Sequence, residues 1–428
     1  MSSTSLDQDG VRKTVLPNGL RILSETIPQF ASVTIGIWVE NGSRYERPEQ
    51  NGISHFLEHL FFKGTERRSA RQIAQEIDAV GGVLNAFTDR EYTCYHAKVL
   101  REDLPLAFDV LSDVFLHAQF PEDEVERERT VVLSEISEGE DSPDHYVHLL
   151  FDLGFWPGDA LARPIAGTAE TVSQLRRPDF VDFVAERYRP DRVVIAAAGA
   201  VEHDWLVEHV TREFGSLSGK TTPPEFTTPT PDLKLRMHQK DLEQVQMLIG
   251  IPGLPKSDPR RYAAFVLNTA LGDGMSSRLF QEIREKRGLA YSVSSFLASF
   301  QKAGYLAVYG GLGAESVVEA LDVVRTEFRS LKDSGLGEDE LSRAKSQIKG
   351  SMLLSLESSG SRMSRMAIND LYYGRQITPG EVAGAISAVT HDDVRSVAQD
   401  LFSTEEMAVT LLGAVEGHGI DEAAARLG

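Results

Sequence analysis

The feature that most limits what this chain can become is a break at its midpoint. Residues 215–231 read GSLSGKTTPPEFTTPTP, and four prolines among Ser and Thr exclude both a helix interior and a central strand. Each flank is roughly 200 residues, long enough to bury a hydrophobic core of its own. Two landmarks recur across the break. Ile35-Gly36-Ile37 opens an apolar alternating run, and Ile249-Gly250-Ile251 does the same 214 residues later. AFDVLSDVF, from Ala107, is echoed by ALDVVRTEF from Ala320, an offset of 213. The two offsets agree with each other and with half of the 428 residues, which points to an internal duplication. The expected organisation is a first domain over 1–214, a linker over 215–231 and a homologous second domain over 232–428.

Each half mixes two periodicities. SVTIGIWVE, YTCYHAKVL and RVVIAAAGA alternate as strands do. Ser69–Val80, Leu104–Leu116, Glu122–Glu138 and Pro178–Tyr188 carry apolar residues at helical spacing. No regular strand–helix–strand period is present. The expectation is therefore an α+β fold of two homologous domains, each a mainly antiparallel sheet with helices packed on one face.

Composition excludes several function classes. Acidic residues outnumber basic ones 64 to 44, a net charge of −20, so a phosphate backbone would meet no basic surface and nucleic acid is not an expected partner. The charge is uneven: residues 1–210 sum to −16, residues 211–428 to −4, and residues 101–160 alone to −13. This acidity is either a solvated helix face or an enclosure that attracts basic peptide segments. The longest apolar run, Val193–Val201, is far short of the ~20 residues of a membrane span, so no membrane partner is expected. The single cysteine, Cys94, excludes an intramolecular disulfide and a Cys-rich zinc module, and reads as a small core residue. With no basic-then-apolar leader and no Arg-rich transit character at the N-terminus, the expected location is cytoplasmic.

The strongest chemical signal is His55-Phe56-Leu57-Glu58-His59. On a helix capped by Asn51 or Ser54, Phe56, Leu57, Leu60 and Phe61 supply a face for burial. His55 and His59, four apart, project from one face and suit two ligands of a tetrahedral zinc. Glu58 borders that face and is placed to take a proton from water without being a ligand. The order H-x-x-E-H is the inverse of the commoner H-E-x-x-H arrangement and is the inverzincin signature. Two surface histidines beside an incidental glutamate are the alternative. No G-x-S-x-G, P-loop or G-x-G-x-x-G occurs, so serine hydrolase and nucleotide chemistry have no support.

The longer segment NGISHFLEHLFFKGT resembles the zinc-binding segment of the insulinase/pitrilysin metallopeptidase family. In that family the third ligand is a glutamate 76 residues after the second histidine, which falls here on Glu135 within RERTVVLSEISEGEDSP. The resemblance implies one Zn²⁺ per chain held by His55, His59 and Glu135. Glu128, two helical turns before Glu135, matches a second glutamate of the family that stands behind the ligands or acts as an accessory acid. GGVLNAFTDREYTCY resembles the family's substrate-binding edge strand, with peptide pairing to the backbone of Asn85, Ala86 and Phe87.

The second half has no histidine between His238 and His391, and AAFVLNTALGDG stands where the duplication would put the histidine helix. MSSRLFQEIREKRGLAYSVSS resembles the family's second-half signature. Its Arg284 and Tyr291 are implied to stabilise the substrate carbonyl as it gains charge; alone, the segment reads as a basic helix end at Gly288. The size is similar to the branch that includes mitochondrial processing peptidase subunits and their bacterial relatives. The resemblance implies a zinc endopeptidase acting on peptides or unfolded segments, with a preference for basic ones, inside a chamber closed by a homodimer. In that dimer Arg284 and Tyr291 approach the zinc site of the partner chain. A non-catalytic structural or peptide-binding homologue, and the active subunit of a heterodimer, stay open as alternatives.

Overall fold

The computed structural model describes residues 3–6, 10–222, 224–404, 406–417 and 419–420, so Pro223 of the midpoint stretch lies outside the described residues. Its strands are β1 Ser3–Leu6, β2 Val11–Val15, β3 Arg21–Thr26, β4 Ser32–Val39, β5 Val83–Thr88, β6 Thr93–Leu100, β7 Val193–Gly199, β8 Leu235–Gln239, β9 Val245–Pro252, β10 Ala290–Ser299, β11 Gly304–Leu312 and β12 Ala408–Gly413. They form a sheet ordered β1-β2-β3-β7-β4-β6-β5 and a sheet ordered β10-β11-β9-β12-β8. From β3 to β5 and from β8 to β10 the two orders coincide. In both, the pair that starts the series (β3 with β7, β8 with β12) is parallel and the rest antiparallel. The duplication read from two short matches is thus a duplication of topology. The echoed nonapeptides lie in equivalent helices, Leu104–His117 after β6 and Val317–Ser334 after β11.

Each half packs its own helices on one face of its sheet, where alternate strand residues enter a large core. Ile35, Ile37, Tyr95, Ala97 and Ile195 do so in the first half, and Met247, Ile249, Leu306, Val308 and Val409 in the second. The other face of each sheet is covered by a helix from the opposite half. Pro143–Phe155 packs on β9 and β12, and Ser359–Tyr373 packs on β3, β4 and β7. Neither compact unit is therefore a contiguous half. One comprises residues 1–138, 163–225 and 355–378, and the other 139–162, 226–354 and 379–428. The chain passes between them at Glu225 and Phe226, inside the Pro-rich stretch.

The exchange explains the repeated Ile-Gly-Ile. A Cβ on Gly250 would lie 2.2 Å from Phe151 Cζ of the helix above it, and one on Gly36 would lie 2.9 Å from Met363 Sδ. Each central strand carries glycine where the exchanged helix comes closest. Gly250→Ala is expected to lower stability by about 1–3 kcal/mol through overpacking against the rigid ring. Gly36→Ala meets a flexible thioether and is expected to cost less. Urea midpoints check both, and Phe151→Leu should relieve the Gly250→Ala defect; a Gly250→Ala protein as stable as the parent would contradict this account.

The helix Ser359–Tyr373 also carries charge into a buried layer. Asp370, 1% exposed, pairs with Lys13 and with Arg21 at 3.1 Å. Arg362 and Arg365 both meet Glu25 of β3, and the Tyr372 hydroxyl donates to Glu91 Oε2 at 2.8 Å. Glu91 is itself paired with buried Arg44 at 2.6 Å. Among the described residues no helix is long and apolar enough to cross a membrane.

Candidate metal centre and peptide-binding edge

The histidine helix spans Ile53–Leu60 and is anchored by Ile53, Phe56, Leu57 and Leu60, all fully buried. Its start differs from the sequence expectation: the side chains of neither Asn51 nor Ser54 cap it. Gly52 occupies the cap position at φ +96°, and a Cβ there would lie 2.6 Å from Ala166 O, so no side chain fits. The free N–H groups are met instead by the buried carboxylate of Glu46. Its Oε2 accepts from Gly52 N–H at 2.8 Å and Asn51 Nδ2 at 2.9 Å, and its Oε1 accepts from Ser54 N–H at 2.9 Å. Burial pushes the Glu46 carboxyl above the usual carboxylate range, opposed by these same donors. A carboxylate brought from six to eight residues upstream thus does the work of a local cap at the positive end of the helix.

The second contributor is the helix Glu122–Asp141, whose Val125, Glu128, Arg129 and Val132 are buried. Arg129 fastens it by donating to the carbonyls of Val172 and Leu175. Glu128 and Glu135, seven residues apart, both face the histidines. His55, His59 and Glu135 each offer a donor atom, all within 4.8 Å of one another. Glu135 Oε2 is 3.7 Å from His55 Nε2 and 3.5 Å from His59 Nε2. Donors held ~2.1 Å from a tetrahedral zinc are separated by about 3.4 Å, so the two distances to Glu135 match that ion. Two imidazoles and one carboxylate are also the donor set of an open, catalytic type of zinc site. Burial, then the neighbouring His59, lowers the His55 pKa to about 4, which keeps its imidazole neutral as a ligand must be.

Glu128, 5% exposed, lies behind His59: its Oε2 is 3.2 Å from His59 Nδ1, and its Oε1 is 2.6 Å from Lys63 Nζ. A proton on Nδ1 shared with this carboxylate leaves the Nε2 lone pair facing Glu135. Glu58 stands beside the trio without joining it. Its Oε2 accepts from Thr88 Oγ1 at 2.7 Å. Burial raises the Glu58 pKa, the Thr88 hydrogen bond opposing it, so the group sits nearer to a proton acceptor that works at neutral pH than a surface glutamate does.

Thr88 ends β5, the last strand of the first sheet, which pairs only with β6 among the described residues. Asn85, Ala86 and Phe87 therefore lie on a sheet edge. Asn85 is exposed and Ala86 buried, while the Phe87 ring packs edge-on to Trp38 at 5.5 Å between centroids. The Ala86 N–H is met by the side-chain carbonyl of Asn85 at 2.8 Å. Cys94, opposite Phe87 on β6, is fully buried, as a core residue is.

In the second unit the segment corresponding to the histidine helix, Arg261–Gly272, is packed by Ala264, Val266, Leu267 and Leu271 and has no ligating side chain. Arg284 lies in a π-wound turn, Phe280–Glu285, and Tyr291 on the edge strand β10. The Arg284 guanidinium lies 5.1 Å from the Tyr291 ring centroid, and Tyr291 is 77% exposed. Gly288, at φ +65°, turns the chain between them and donates to Arg284 O at 3.0 Å. The half-buried Arg284 guanidinium lies between the Phe280 ring, at 4.8 Å, and the exposed Tyr291 ring.

Sequence reasoning missed Glu46, Lys63 and Thr88. Lys63 had only a weak signal, since it follows His59 by four residues but lies beyond the end of the helix at Leu60. Glu46 and Thr88 act across chain separations of 8 and 30 residues, which no periodicity announces.

The model of the insulinase family (peptidase family M16) matches residues 21–169, and that of the peptidase M16 inactive domain matches residues 174–348. An uncharacterized zinc protease of Streptomyces coelicolor is 44% identical over 400 residues, covering 91% of this chain and 87% of that protein. One of Bacillus subtilis is 42% identical over 402 residues, covering 94% and 98%. Among solved structures, a protease from Helicobacter pylori superposes with a TM-score of 0.88 at 22% identity, covering 96% of this chain and 100% of that one. A peptidase M16 inactive domain from Pseudomonas fluorescens gives 0.88 at 19%, covering 94% and 97%. By sequence over nearly its whole length and by fold, the chain belongs to the insulinase family, peptidase family M16.

Proposed function

We propose that this protein is a zinc metalloendopeptidase that cuts peptides or unfolded protein segments, preferring basic ones, within a chamber formed by a homodimer. The observation that carries the reading is the convergence of His55, His59 and Glu135, with the Glu58 carboxylate beside them and outside the ligating trio. His55, His59 and Glu135 would hold one Zn²⁺ per chain, and that ion would supply Lewis acidity for the scissile carbonyl and a lowered pKa for water. Glu58 takes the proton of the attacking water and returns it to the leaving amine. Extended substrate adds to the edge of β5, its backbone replacing the Asn85 side chain at Ala86 N–H, so main-chain bonds supply affinity without sequence selection. Arg284 and Tyr291 of a partner chain bind the carbonyl oxygen as it gains charge. The basic preference is supported by the −13 of residues 101–160, whose Glu122, Asp123, Glu126 and Glu138 are exposed on the helix that carries Glu135.

The test is direct. Purified protein is incubated with an internally quenched Arg/Lys-rich peptide and an acidic counterpart, with metal content measured in parallel. Cleavage is expected, with loss on chelation and return on adding zinc, and with a kcat/KM advantage for the basic peptide that shrinks as salt rises. Stoichiometric zinc without cleavage of either peptide would sink the reading. An equal rate on both peptides at low salt would remove the basic preference alone.

A further inference from the structure

We infer that Thr88 is a positioning residue for Glu58, and that it ties the peptide-binding strand and the proton-transferring carboxylate into one rigid unit. The inference rests on the reading above, in which Glu58 moves the proton and β5 carries the substrate. Glu58 lies on the half-buried flank of its helix, and a free glutamate carboxylate samples many rotamers. Its Oε2 is held at 2.7 Å by the Thr88 hydroxyl. A hydroxyl donating to an ionised carboxylate is among the stronger hydrogen bonds a side chain makes.

Thr88 is itself well fixed. It is the last residue of β5 and pairs with Thr93 of β6, which is fully buried and donates through its hydroxyl to Asn41 O at 2.9 Å. Residue 88 directly follows Asn85-Ala86-Phe87, the stretch proposed to bind peptide backbone. Ala86 and Thr88, two apart on a strand, project to the same side of the sheet, towards the histidine helix. A peptide docked on this edge and the group that must reach its scissile bond are therefore located by the same four residues. Proton transfer demands this kind of placement, because an error of about 1 Å can cost 10²-fold in rate.

The experiment compares Thr88→Val, Thr88→Ala and Thr88→Ser with Glu58→Gln, measuring kcat and KM on the quenched Arg/Lys-rich peptide, bound zinc and thermal midpoint. Val keeps the β-branched shape and Ala truncates it; both lose the hydroxyl, and Ser keeps it. Thr88→Val and Thr88→Ala are expected to lower kcat by about 10-fold or more with KM within about twofold and zinc unchanged. Thr88→Ser is expected to retain kcat within about threefold. In a Glu58→Gln background, Thr88→Val should add no further loss, because the group it positions is already gone. Full kcat in both hydroxyl-less variants, or a loss additive with Glu58→Gln, would overturn the inference while leaving the proposed function standing. Undiminished turnover in Glu58→Gln alone would instead overturn the function.

Discussion

Glu58→Gln is expected to slow peptide cleavage by about 10²–10⁴-fold while leaving bound zinc and thermal stability unchanged. The selectivity of this effect follows from the geometry. Glutamine has the length of glutamate, and its carbonyl oxygen accepts the Thr88 hydroxyl that now donates to Glu58 Oε2 at 2.7 Å. The ligating trio of His55, His59 and Glu135 does not include residue 58, so the metal keeps its donors. Only the capacity to accept and return a proton is lost. Zinc analysis and single-turnover cleavage on the same preparation check both halves of the expectation. A Glu58→Gln protein that loses zinc would show that the carboxylate supports the site rather than the reaction. The same variant tests the proposed homodimer. Mixed with Tyr291→Phe under conditions that exchange subunits, it should regain part of the activity, since one site of the mixed dimer has both an intact Glu58 and an intact partner Tyr291. No recovery after confirmed exchange would argue against sharing between chains.

Asp370→Ala is expected to destabilise the first unit by about 3–5 kcal/mol. Asp370 is a buried anion facing Lys13 and Arg21, and both cations have less than a fifth of their side chains exposed. Truncating the acid takes the facing carboxylate from Lys13 and leaves Arg21 only Glu40 at 3.8 Å, in a layer largely shielded from water, which is why the loss exceeds what a surface ion pair contributes. Because Asp370 lies on the exchanged helix, the defect should appear as undocking of Ser359–Tyr373 from β3, β4 and β7. Amide exchange in that helix should accelerate by roughly two to three and a half orders of magnitude. Replacing all three groups together by Asp370→Leu, Lys13→Met and Arg21→Met should recover most of the stability, since no charge is then left unpaired. Unchanged exchange in Asp370→Ala would show that the charged layer contributes nothing to docking.

Much of the site was legible because its chemistry repeats at helical distances. His55 and His59 are one turn apart, Glu128 and Glu135 two turns apart, and local hydrogen bonding alone dictates that each pair shares a face. The strands were legible for the same reason, as alternation in SVTIGIWVE and RVVIAAAGA survives as β4 and β7. Glu46 was not legible. Its role as the cap of the histidine helix depends on a turn that brings residue 46 back over Gly52 and Ser54, while Asn51 and Ser54, better caps by local rules, are engaged elsewhere.

The resemblance to the family pointed to Glu135; the sequence by itself determined the duplication, the α+β class and the histidine helix. These are properties of periodicity and count, and they follow from backbone geometry over a few turns or from the matching of one half to the other. Only the tertiary structure decided that each half lends a helix to the other's sheet, and that Gly36 and Gly250 recur because that helix must pass over them. It also decided that Glu46 starts the histidine helix and that Thr88 holds Glu58. Those contacts join segments whose separation in the chain carries no pattern, and close packing alone selects which side chains meet.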